Sequence, residues 1–200
     1  MQRRSESHWR LAALIYLALA VFALGLSLVV REGRPFDHPA PWLLLPPVQA
    51  LSLSALLGVA FAALVVASTR LFVARFGWAR RLQDELSPSA RGLDLGPLLL
   101  LALLSSAAEE LFFRALLEPA AGLLLSSLLF GLAHRARGQA RWAWSLWAAS
   151  VGLGLGFIFR LTGSLLGPLL AHAAVNTLNL LFLRDSPLPS GPRRASFRSP

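Results

Sequence analysis

The chain has 200 residues, of which 56% are hydrophobic and only 14% charged, and it contains no cysteine. That balance excludes an ordinary soluble domain, a disulfide scaffold and any chemistry resting on thiols, and it predicts an all-α, polytopic membrane protein. The formal charge of +9 comes from arginines that sit mostly between apolar runs, a pattern of positive-inside anchoring rather than of nucleic-acid binding. Lysine is absent, which fits a GC-rich coding bias and a bacterial source.

In chain order, Arg3, Arg4 and Arg10 precede an apolar run over 11–30 that is long enough to span the bilayer and long for a signal-peptide core. Gly33, Pro35, Pro39 and Pro41 mark a loop. A second span follows over 42–69, with Pro46 and Pro47 predicting a late helix start or a kink. Over 70–96 the arginines Arg70, Arg75, Arg80, Arg81 and Arg91 interleave with Phe72, Phe76, Trp78 and Leu82. This reads either as a helix lying in the membrane interface or as a solvated connector with a helical turn. A third span over 97–117 ends at Glu118-Pro119, read as a tight turn, and a short fourth span covers 120–134. Arg135, Arg137 and Arg141 form a basic connector, and spans over 142–159 and 165–183 flank a turn at 160–164.

The expectation is thus about six transmembrane helices in one domain over 1–184, with a motif-bearing core at 97–183 and a disordered, Pro/Ser/Arg-rich tail at 185–200. With the N-terminus inside, only Arg31, Arg34 and Arg160 fall in outer loops, so both termini should be cytoplasmic in an integral protein of the bacterial cytoplasmic membrane.

The third span carries the polar residues that lipid tolerates least: Glu109, Glu110 and Arg114. Glu110 and Arg114, four apart, share a helix face and can pair. Glu109 is rotated about 100° away and lacks its own counter-ion on that helix, so it is either a general base or part of a structural cluster. His134 follows Phe130 by four residues, so the two pack on one face. His172 precedes Asn176 by four, setting an imidazole beside a carboxamide. Counted from the outer turns, Glu109, His134, His172 and Asn176 lie roughly 15, 22, 12 and 18 Å deep, so they can meet near mid-membrane.

Glu-Glu-Leu-Phe-Phe-Arg, Phe-Gly-Leu-Ala-His and His-Ala-Ala-Val-Asn, on successive hydrophobic segments, fit EExxxR, FxxxH and HxxxN. With these motifs the chain resembles the CPBP intramembrane proteases, the family of the type II CAAX prenyl endopeptidase and of bacteriocin-processing or immunity proteins. The resemblance implies hydrolysis of a membrane-embedded or lipidated protein substrate. Glu109 would activate water with His134, His172 and Asn176 would stabilise the oxyanion, and Glu110, Arg114 and Phe130 would support the site. A metal-free site is favoured because HExxH is absent. If a metal is present, Glu109, His134 and His172 are the ligands and zinc the ion they suit. The bilayer is the other partner implied, and nucleic acid is not. No aspartate lies within a span and no GxSG occurs, which removes aspartyl and rhomboid-type serine chemistry. A non-catalytic membrane protein using the same polar cluster for transport, immunity or substrate binding remains the alternative.

Overall fold

The computed structural model describes residues 2–135, 138 and 140–186, with side chains from His8 onward. The expected tail lies, from residue 187, outside the described residues, as does Arg137 of the basic connector. Among the described residues every regular element is helical: α1 Gln2–Val30, α2 Pro47–Arg75, α3 Gly77–Arg91, α4 Leu95–Glu110, a π-helical stretch Leu111–Leu117, α5 Glu118–Ala121, α6 Leu123–Ala133, α7 Arg141–Thr162 and α8 Leu166–Asp185. Five of these segments are long and apolar enough to cross a membrane: His8–Val30, Pro47–Arg75, Leu95–Ala121, Arg141–Thr162 and Leu166–Asp185. The protein is an all-α, integral membrane protein.

The expected fourth span is shorter than a crossing. At 11 residues, α6 rises about 17 Å, against a hydrocarbon core of about 30 Å. It ends at His134, whose φ of −88° and ψ of 66° leave the helix. The turn expected at Glu118-Pro119 is also displaced. Pro119 falls in the first turn of α5, where its missing N–H is not needed, so the helix continues to Ala121. The chain reverses instead at Gly122, whose φ of 84° suits only glycine. At the N-terminus the helix already begins at Gln2, so His8 lies on α1.

Within the basic segment the chain forms a 15-residue helix, α3. In α3, Ala79, Leu82, Ser87 and Ala90 are buried, while Arg80 and Arg81 are exposed. Small residues bring the spans together, as expected where lipid gives no hydrophobic drive for helices to associate. Gly58 of α2 meets the backbone of Gly167 of α8 with no room for a Cβ on either. Ser54 seals the contact by donating to the Ser164 carbonyl and accepting from the Gly167 N–H, both at 2.8 Å. On the outward surface Leu14, Val21, Val59, Leu64 and Leu146 are all more than half exposed, which is the lipid-facing side of the bundle.

The end opposite the termini is closed by the loop between α1 and α2. His38 N–H donates to Gly163 O, Trp42 N–H to Arg160 O and Leu43 N–H to Leu161 O, while Leu165 N–H donates to Phe36 O. These bonds fix the α7–α8 turn, and with it the start of the helix that carries His172.

Candidate active site

Glu109 and Glu110 close α4, immediately before the helix widens into its π-helical stretch, where Glu118 N–H bonds Phe113 O, five residues back. Single π segments of this kind are rare and recur at functional sites. Here the widened stretch carries Arg114, 1% exposed, inward to α7. Its Nη2 donates to Gly152 O at 2.8 Å and its guanidinium lies 4.6 Å from the Phe130 ring centroid. Glycine at 152 leaves the space that both groups fill.

Arg114 Nε lies 3.3 Å from Glu110 Oε2, the pair expected from the i, i+4 spacing. The other oxygen of Glu110 makes a contact the spacing does not reveal: Oε1 is 2.7 Å from His172 Nδ1. An ionised carboxylate only accepts, so His172 carries its proton on Nδ1 and turns Nε2 toward the site. His134 is held in the same sense, since its Nδ1 lies 2.8 Å from Phe130 O, a carbonyl that can only accept. Both Nε2 atoms face one carboxylate oxygen. Glu109 Oε2 is 3.3 Å from His134 Nε2 and 3.8 Å from His172 Nε2. Phe130 stands between the imidazoles, with ring centroids 4.4 Å from His134 and 5.7 Å from His172.

Asn176 adjoins this group in a tied state. Its Nδ2 donates to Ser105 Oγ and Ser106 Oγ, each at 3.1 Å. Both serine hydroxyls already donate to Ala102 O, so their free lone pairs require a donor, and this orients the amide nitrogen toward them. Ser105 and Ser106 are polar contributors that motif reading passed over.

Glu109, His134, His172 and Asn176 all line one cavity of about 350 Å³. Its remaining wall is mainly apolar and includes Val65, Trp144, Trp147 and Val151. Tyr16 of α1 also lines it. The first two spans carry no recognisable motif, and the only signal for Tyr16 was its being the sole tyrosine in the chain. Beyond Trp144, Trp147, Asn179 and Leu183 the cavity adjoins a smaller hollow walled by Phe72, Trp78, Leu82 and Phe182.

Among the described residues no group of three His, Asp or Glu side chains has the spacing of a metal-holding set.

A second polar group lies apart from the cavity, at the closed end. His38 and Glu118 are buried, with Nε2 and Oε1 4.0 Å apart, and His38 stacks edge-on against Phe159. Burial, reinforced by the positive charges of Arg160 and Arg31, pushes the His38 pKa down to about 4. His38 is therefore neutral at physiological pH.

Residues 91–178 match the model of the family described as type II CAAX prenyl endopeptidase Rce1-like. That segment runs from the last residue of α3 to the middle of α8 and contains every residue of the three motifs. No curated protein and no solved structure matches the chain.

Proposed function

We propose that the chain, whose residues 91–178 match the Rce1-like family of type II CAAX prenyl endopeptidases, is an intramembrane endopeptidase that cleaves a lipid-modified or membrane-embedded protein by glutamate-activated water. The observation that carries the proposal is the convergence of both imidazole Nε2 atoms on Glu109 Oε2. A water held between Glu109 and His134 gives a proton to the carboxylate as its oxygen attacks the scissile carbonyl carbon. The carbonyl π electrons become an oxyanion. His172 is suited to meet that charge: present as the imidazolium before attack, with Nδ1–H bonded to Glu110, it donates Nε2–H to the oxyanion and keeps that proton through the cycle. Asn176 supplies a second donor by exchanging one of its two equivalent serine bonds for the oxyanion. When the C–N bond breaks, the proton passes from Glu109 to the leaving nitrogen and the carboxylate is restored.

No step in this scheme requires a metal. The apolar wall and the adjoining aromatic hollow support a substrate that presents hydrocarbon beside the scissile bond, such as a lipidated tail or a membrane anchor. The distribution of arginines supports a cytoplasmic location for both termini, in a bacterial cytoplasmic membrane.

Quantitative mass spectrometry of membrane-protein termini, in cells carrying the wild type or Glu109→Gln, tests the proposal. New termini that depend on the wild type and vanish in the variant are expected. Identical termini in both strains, with the variant stably inserted, would leave the polar cluster a binding or structural device.

A further inference from the structure

We infer that Tyr16 is a positioning residue for Glu109, supplied by a helix outside the family-matched segment. The inference rests on the proposed role of Glu109. Helix α1 is apolar from Leu11 to Leu26 except at this one phenol. A hydroxyl within the hydrocarbon region needs an acceptor, and Glu109 is the one carboxylate among the residues that line the same cavity as this phenol.

The register of α1 is set by packing. Ala20, Ala23 and Leu24 lie against Leu111 and Ala115 of the π-helical stretch, and Tyr16 shares a face with Ala20 and Ala23 at spacings of four and seven. Its neighbours Leu14 and Leu17 point out to lipid, 63% and 47% exposed, while Tyr16 is only partly exposed and lines the cavity. This register turns the phenol to the cavity from the α1 side, where the inferred bond would hold the Glu109 carboxylate while Oε2 faces the imidazoles. A carboxylate so held keeps one orientation toward its water, and the effect belongs in turnover rather than in substrate binding.

Because the chain has a single tyrosine, [ζ-¹³C]tyrosine labelling of the full-length protein in lipid nanodiscs gives one phenolic resonance. Glu109→Gln is expected to shift that resonance, and His38→Phe, at the closed end, to leave it in place. A resonance that ignores Glu109→Gln overturns the inference without any substrate being needed.

In the second arm, an internally quenched farnesylated peptide ending in Cys-aliphatic-aliphatic-X is the probe. Tyr16→Phe should lower kcat roughly 10- to 100-fold, the range for one hydrogen bond to a charged group, with KM within about twofold of the wild type. An unchanged kcat, or a raised KM at constant kcat, overturns the inference even where Glu109→Gln abolishes cleavage. If the wild type leaves the probe intact, the lipidated-substrate reading fails and the resonance alone decides for or against Tyr16.

Discussion

Glu110 bonds in two directions, to Arg114 at 3.3 Å and to His172 at 2.7 Å, and is fully buried. The first bond neutralises a cation in the bundle, and the second fixes the tautomer of a site imidazole. Substituting either partner alone leaves the other charge uncompensated, at a cost of about 3–5 kcal/mol, whereas removing both can recover much of that stability. Unfolding in mixed micelles should therefore rank Glu110→Leu and Arg114→Leu each well below the wild type, with the double variant above both. The double variant should still fail to cleave, because His172 has lost the carboxylate that orients it. If the two single costs simply add, the pair is not coupled. The two halves of this arrangement differ in how far the sequence reveals them. The bond to Arg114 follows from helical spacing, but the bond to His172 joins residues 62 positions apart and depends on how α8 docks.

That docking is a property of elements. Gly58 and Gly167 allow α2 and α8 to touch backbone to backbone, and Gly167 lies five residues before His172. Gly167→Ala puts a methyl against the Ser54 carbonyl, so α8 must move. A loss of about 1–3 kcal/mol and a fall in cleavage are expected together, while Gly25→Ala, where a Cβ meets open space, should change neither. Nothing in the pattern of glycines distinguishes these two positions before the helices are packed. The loop over 31–46 acts at the same scale from the closed end. With a folded pKa of about 4 against about 6.5 unfolded, His38 lets the unfolded chain bind the extra proton between those values. Its contribution is complete above about pH 6.5 and is lost as the pH falls toward 4. Glu118, Arg160 and Arg31 face it. Unfolding followed from pH 7.5 to 4.5 should show this acid loss in the wild type and a flatter profile in His38→Phe, which keeps the ring packing on Phe159. Equal slopes would remove His38 from the clamp.

For the whole molecule, the span count was legible because runs of about 20 apolar residues have few other readings. The exception was α6, where composition could not distinguish a crossing from a half-depth helix. That half-depth helix decides where the site opens. His134 ends α6 about 17 Å below the outer turn, and the cavity continues from it toward the opposite end, where Leu86 and Ser89 of α3, Leu93 and Leu183 line it. This is the arginine-rich end, with Arg70, Arg75, Arg80, Arg81, Arg135 and Arg141, so if charge sets orientation the mouth is cytoplasmic. The absence of cysteine makes every single-cysteine variant a clean probe. Ser89→Cys, exposed at the mouth, should react with a membrane-impermeant maleimide only in inside-out vesicles, and Arg34→Cys, in the outer loop, only in right-side-out vesicles. The label at Ser89→Cys should also block cleavage, while the label at Arg34→Cys should not. The reverse labelling pattern would invert the topology, and full activity after labelling at residue 89 would mean that substrate enters between the helices from the lipid instead.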